Sequence, residues 1–362
     1  MNRPFYPGLN RVQGALLGAT LCAMMPPAAQ ACATCGCSLS SDAAMGYSAL
    51  AGWRLSLEYD FIDQDQLRNR YAPIPPSTVA ALNPPGSTPA NPGPQEVEKG
   101  TINRYWTAGI TYTPNPAWSI NALIPYINRT HTTYNAVSPD ELTPADVSGA
   151  HSNGLGDMKL IGAWQGLLPT HNLGFQLGFK LPTGRYGGQN VDTGAQVGRA
   201  PVYFNTGPNA AQNQALDTSL NPGTGSYDLI VGAYYYQAIS QNFDAFVNFQ
   251  DQTTFAHALH QPGADFRPGN TQNLSFGLRY ERDPRWVPQL QVNVTHKSPD
   301  RGALADNTDT DGTVVYLSPG ITAGVLKRVH AFGFVQVPVF SRLDGYQVFP
   351  HWTGSVGLSY AF

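Results

Sequence analysis

After Cys37 the 362-residue chain contains no cysteine, and that absence removes several classes of chemistry. No CxxCH haem motif and no disulfide framework can be built downstream of it. Charge is scarce too: Asp, Glu, Lys and Arg make up 12% of the chain, against about a quarter in ordinary soluble domains. The net charge of -3 contains no basic run, which excludes a nucleic-acid partner. Beyond residue 31 no stretch supplies the ~18 uninterrupted apolar residues of a membrane helix. Glycine, tyrosine, asparagine and threonine are abundant instead.

The first residues read as an export signal. Arg3 and Arg11 precede an apolar stretch, Gly14 to Met25, which leads through Pro26-Pro27 to Ala29-Gln30-Ala31. This is the pattern of a secretory signal peptide with an A-x-A cleavage site. Cleavage after Ala31 divides the chain into a signal peptide, 1–31, a cysteine-bearing segment, 32–50, and a body, 51–362. It also makes Cys32 the new N-terminus, so a lipid-carrying Cys32 is a competing reading.

The body alternates. In GWRLSLEYDF, Trp53, Leu55, Leu57, Tyr59 and Phe61 share one side of a strand, and Arg54, Ser56, Glu58 and Asp60 the other. NLGFQLGFKL and NLSFGLRYE repeat the pattern, with Phe179 and Leu278 on apolar sides and Lys180, Arg279 and Glu281 on polar ones. A soluble sandwich also alternates, but its outer face is usually richer in Lys and Glu. A sparse, Gly-rich polar side suits a wet lumen, and the apolar side suits lipid.

About twelve such segments follow one another, near 52–66, 101–113, 117–131, 155–167, 172–184, 225–237, 242–255, 270–282, 286–298, 313–325, 329–342 and 347–362. Each is long enough for the 9–11 residues of a tilted membrane strand. Tight connections such as Pro114-Asn115-Pro116 and Asp283-Pro284-Arg285 alternate with long ones: Arg68 to Gly100, Ala136 to Gly154, Tyr186 to Thr224, Ala256 to Gly269 and Pro299 to Gly312. Short periplasmic turns and long external loops alternate in this way in outer-membrane barrels. The expected fold is therefore all-β, a transmembrane antiparallel up-and-down barrel in the bacterial outer membrane, with both termini periplasmic. Its partners would be outer-membrane lipid and the barrel assembly machinery. The last residues place Val356, Leu358, Tyr360 and Phe362 on one face, resembling the C-terminal assembly signal of bacterial barrels. Trp53, Trp118, Trp164 and Trp286 fall near expected periplasmic strand ends, where an aromatic belt sits.

Three stretches carry a more specific resemblance: Gly154-Leu155-Gly156-Asp157, GFKLPTGRY from Gly178 and GTGSYDLIVGAYY from Gly223. They resemble the outer-membrane channels assigned to the phenol-degradation (MetA) pathway, related in style to hydrophobic-substrate channels of the long-chain fatty-acid type. The resemblance implies a barrel that takes up a small-molecule substrate, hydrophobic or aromatic. The residues themselves also read as rim architecture, since glycine permits bulges and Pro182 ends a strand.

Strand alternation nominates Arg54, Glu58, Asp60, Asp157, Lys159, Lys180, Asp228, Asp244, Arg279 and Glu281 as lumen-lining residues. They form either a structural ion network or a selectivity lining. No catalytic residues are expected. His151, Ser152 and Asn153 superficially resemble a hydrolase set, but adjacent residues of a strand point to opposite faces. Asn307 to Gly312 has the front half of an EF-hand loop, with Ser318 where a Glu is required. His257 and His260 are the closest pair of histidines.

Cys32, Cys35 and Cys37 would lie in the periplasm ahead of the first strand. They could form a short disulfide, bind Cu(I) or Zn(II), or dock a periplasmic redox or metal partner. The leading reading is a channel for a small solute. The alternative is a barrel scaffold supporting a metal-handling or electron-transfer complex through the CxxCxC segment.

Overall fold

The computed structural model describes residues 51–83, 85–86, 96–134 and 138–362. Twelve strands position the site: β1 Gly52–Arg70, β2 Glu98–Asn115, β3 Trp118–Thr133, β4 Ser148–Leu155, β5 Met158–Trp164, β6 Leu173–Leu181, β7 Ser226–Ala238, β8 Phe243–His257, β9 Thr271–Tyr280, β10 Trp286–Lys297, β11 Gly312–Leu326 and β12 Val329–Ala361. All ladders are antiparallel, and β12 pairs with β1 from Arg54↔Ala361 to Arg70↔Leu343. The sheet therefore closes on itself, which removes exposed edges.

Of the thirteen strands in this sheet, Ala72–Pro73 and β4 lie off the ring. Thirteen less two leaves eleven elements in the wall. The expected separate strands 329–342 and 347–362 are one continuous element, doubled at Asp344-Gly345. Gly345 takes φ 72° there, and the Ala361 amide donates to the Arg328 carbonyl at 3.0 Å where the two arms come back together. A tight hairpin keeps its ladder to the last residue, so the wall counts eleven elements for twelve passes of chain.

A second difference concerns 148–164. Ser148 to Gly154 was expected in a loop and 155–167 as one strand, yet β4 pairs with the upper part of β3 and β5 with the lower part. The break has a local cause. Pro125 of β3 has no amide to donate, Gly154 adopts φ 148°, and a Cβ at Gly156 would stand 2.9 Å from Ile127 and 3.1 Å from Pro125. The gap turns Asp157 out of the ladder and toward the barrel interior.

The burial pattern inverts that of a soluble protein. Side chains on the inner face are polar and buried, among them Thr107, Thr111, Gln289, Gln291, Asn293 and Ser318, while Leu55, Leu57, Ile110, Leu177, Phe276 and Leu358 are exposed outside. Only a lipid surround makes that outer face favourable. Aromatic pairs mark its lower margin, with Trp53 against Tyr112 at 4.6 Å and Trp118 against Trp164 at 6.3 Å. Phe61 meets Trp352 at 5.8 Å higher on the same wall. Eight residues of β1 separate the two levels, about 26 Å along the strand, or about 20 Å along the membrane normal at the usual tilt.

Candidate functional site

The three glycine-bearing stretches converge on one buried ion network on the inner wall. Lys180 of β6 faces Asp228 of β7 across the ladder, and its Nζ lies 2.8 Å from Asp228 Oδ2 and 3.6 Å from Asp157 Oδ2. It also donates to Thr224 Oγ1 at 2.6 Å and Ser226 Oγ at 2.8 Å. Asp228 accepts further bonds from Ser226, Gln252 and Thr254. Lys180 and Asp228 retain 5% and 2% of their surface, so each charge depends on the others for solvation.

Asp157 adds a second task, because its Oδ1 accepts the Gly184 amide and its Oδ2 the amide and hydroxyl of Thr224. Gly184 and Gly223 begin and end the long loop between β6 and β7, and a Cβ on Gly223 would stand 2.6 Å from Asp157 and 2.8 Å from the Gly184 Cα. Glycine at both positions lets the loop's two ends touch over one carboxylate. This clamp aims the loop into the mouth.

The loop is folded. Tyr186–Gln189 pairs with Gln196–Arg199, a short helix spans Gly207–Ala211, and Val202, Phe204 and Leu216 pack on Ala150 of β4. Its far side bonds to the loop after β8, where the Val191 amide donates to the Gly263 carbonyl at 2.8 Å. Leu220 lines a cavity of about 320 Å³ in the half of the lumen nearer the long loops. One side of that cavity is polar, with Gln64, Asn103, Tyr105 and Arg129, and the other apolar, with Val314, Tyr316, Leu343 and Phe349. A further apolar patch on the inner wall joins Leu123, Ile161 and Ile230. Ile161 and Ile230 stand on either side of Gly178 in the ladder, and only a residue without a side chain lets them meet across a strand.

The remaining expected lumen residues have distinct environments. Glu58 and Asp60 are buried on the inner face, and Ser355 donates to Asp60. Arg279 pairs with Glu281 at 2.7 Å and stands opposite Asp244 in the ladder. Lys159 stands opposite Lys180. Arg54 lines a separate hollow of about 410 Å³ at the other rim, with Lys327, Arg328 and His330. Val356, Leu358, Tyr360 and Phe362 are exposed on the outer face. His151 is exposed and Ser152 buried on successive positions of β4, so they do not share a face. Asp306, just ahead of the half EF-hand, accepts the amides of Thr308 and Asp309 at Oδ1 and so closes the turn. His257 and His260 meet edge to face at 6.5 Å. Residues 1–31 and Cys32, Cys35 and Cys37 lie outside the described residues.

Arg129, Leu220 and the approach of Glu96 and Asp217 to Asp306 beside the acidic loop were not anticipated. Glu96, Asp217 and Asp306 stand close enough to act on one another. Enclosure pushes the Asp217 carboxyl up to about 6, with Asp306 adding to the shift. Glu96 is raised well above the carboxylate range, first by burial and then by Asp217. Asp217 is itself exposed to water at the mouth, which screens it, so its effect is much smaller than that shift implies. A raised folded-state pKa means the folded mouth holds the proton better than the unfolded chain. Its stability should be full below pH ~4 and fall as pH rises toward 6. The cation preference of single-channel current is expected to rise over the same interval. Asp217→Asn should flatten both profiles, and an unchanged profile would remove Asp217 from the account.

No protein-family model matches the chain, and no curated protein matches it. Among solved structures, an outer-membrane channel from Pseudomonas putida F1 aligns with a TM-score of 0.55 at 10% identity, over 87% of this chain and 98% of that one. The chain has the fold of an outer-membrane β-barrel. A Pseudomonas aeruginosa FadL homologue aligns at TM-score 0.41 and 11% identity, over 89% and 94% of the two chains. The Ralstonia pickettii toluene transporter TbuX aligns at 0.43 and 9%, over 86% and 90%.

Proposed function

We propose that the protein is an outer-membrane channel for small, weakly polar or aromatic solutes. In this reading the rim with the long loops faces outward and both termini face the periplasm, the chain having been exported by the signal peptide 1–31. The observation that carries it is the loop-capped cavity, whose wall brings Val314, Tyr316, Leu343 and Phe349 together beneath Leu220. These side chains are packed against one another, and the edges they turn to the cavity offer a weakly polar solute an apolar surface to lie against. The patch at Leu123, Ile161 and Ile230 supplies a second such surface. The resemblance of the three glycine-bearing stretches to phenol-pathway channels points the same way. The outward row Val356, Leu358, Tyr360 and Phe362 would serve as the assembly signal.

Flux into proteoliposomes tests the reading. Benzyl alcohol is expected to enter faster than glycerol through the intact barrel relative to protein-free vesicles. Leu220→Asp should reduce that entry by placing a charge over the apolar wall. Equal facilitation of both solutes, unaltered by Leu220→Asp, would contradict it.

A further inference from the structure

The polar side of the capped cavity is not neutral. Arg129 Nε donates to Asn103 Oδ1 at 2.6 Å and Nη2 to the Tyr105 hydroxyl at 2.9 Å, so the guanidinium is held in place by two uncharged groups. Its Nη1 has no acceptor and almost no water contact, and none of the ion pairs among the described residues includes Arg129. The cavity's other cation, Lys297, is already neutralised by Asp300 at 2.8 Å. The carboxylate that lines the cavity, Asp311, has its ionisation held back by burial and by Asp344 beside it. A second guanidinium, Arg68, lies 4.8 Å from the Phe349 ring centre, beside the apolar wall. One side of the cavity thus offers a guanidinium without a carboxylate partner, and the other offers aromatic and aliphatic surface.

We propose that this cavity binds a compact amphipathic organic anion, an aromatic carboxylate of about one ring. The carboxylate would sit at Arg129 and the ring would lie against Val314, Tyr316, Leu343 and Phe349. The inference rests on the channel reading and names its solute class. A small turn of the guanidinium would bring Nη1 onto the entering oxyanion, supplying the acceptor it lacks, and arginine matches carboxylate geometry. A bare small anion would leave the apolar wall uncovered. The volume of about 320 Å³ is room enough to enclose one ring with its carboxylate.

Calorimetry on the folded full chain in detergent provides the test, with benzoate, benzyl alcohol and acetate as probes. Benzoate should bind more tightly than either of the others, since only it satisfies both sides of the cavity. Arg129→Gln should weaken benzoate by at least about tenfold, the cost of a charge-assisted bond, and leave benzyl alcohol within about twofold. Arg129→Lys should restore part of the difference. The wild-type comparison stands even if a variant misfolds. Benzyl alcohol binding as well as benzoate, or Arg129→Gln leaving benzoate unchanged, would overturn the proposal. If benzyl alcohol still enters proteoliposomes while benzoate does not bind, the anion site falls and the channel reading survives. If neither solute binds or enters an ion-conducting barrel, both fall.

Discussion

Lys180→Met is expected to destabilise the folded barrel by about 3–5 kcal/mol, the usual cost of stranding a buried charge. The substitution leaves Asp157 and Asp228 facing each other without the ammonium that lies 3.6 and 2.8 Å from them. Two buried carboxylates are then left to share one site without a counter-charge, which is costly whether they repel or take up a proton. The effect should extend beyond stability, because Asp157 also ties Gly184 to Thr224 at the base of the loop. Denaturant unfolding of the refolded barrel measures the first part, and the flicker of single-channel current, which reports loop motion, the second. Adding Asp157→Asn and Asp228→Asn to Lys180→Met should recover most of the stability, since no charge is then left unpaired. A single Lys180→Met variant as stable as the parent would show that the network contributes nothing to the wall.

Leu57→Arg tests the other face. Leu57 is 46% exposed on the outer surface and lies four residues from Trp53 and four from Phe61, midway between the two aromatic levels. An arginine there meets the hydrocarbon centre at a cost of about 2–4 kcal/mol. Trp53→Arg, at the lower aromatic margin, should cost only about 0–1 kcal/mol by the same depth dependence. Unfolding from lipid vesicles gives both values. Equal costs at the two positions would mean that the band is misplaced along β1.

Where one face met lipid and the other the lumen, the strands were legible before any coordinates. Alternation from Trp53 to Phe61 marks such a segment, and the same pattern runs through β6, β9 and the end of β12. Legibility failed where that contrast fails. Around Arg129 the sequence reads Asn128-Arg129-Thr130, polar on both faces, and alternation carries no information there. Leu123, Ile161 and Ile230 failed in the opposite way, as apolar residues on the inner face that a polar-inside rule assigns to lipid. The site was half legible. Asp157, Lys180 and Asp228 were each expected in the lumen from their own strands, but their meeting depends on the register of β6 against β7 and on the break at Gly156. Single-strand patterns do not encode register, which closure of the whole ring imposes. Nor could length alone show that the loop from Tyr186 to Thr224 folds inward, since that depends on Val202, Phe204 and Leu216 finding Ala150.

The inverted wall is the claim on which the channel, the cavity and the ion network all depend. A single-cysteine scan of β1 and β12 tests it, with Cys32, Cys35 and Cys37 replaced by Ser and spin labels placed in turn at Leu55, Ser56, Leu57 and Glu58 and at Ser355 to Leu358. Relaxation by oxygen, which concentrates in lipid, is predicted to peak at Leu55, Leu57, Val356 and Leu358. Relaxation by a water-soluble nickel complex should be the higher of the two at Ser56, Glu58, Ser355 and Gly357. A period of two in opposite phase along both strands is the expected result; oxygen accessibility that is uniform or peaks at Ser56 and Ser355 would contradict it.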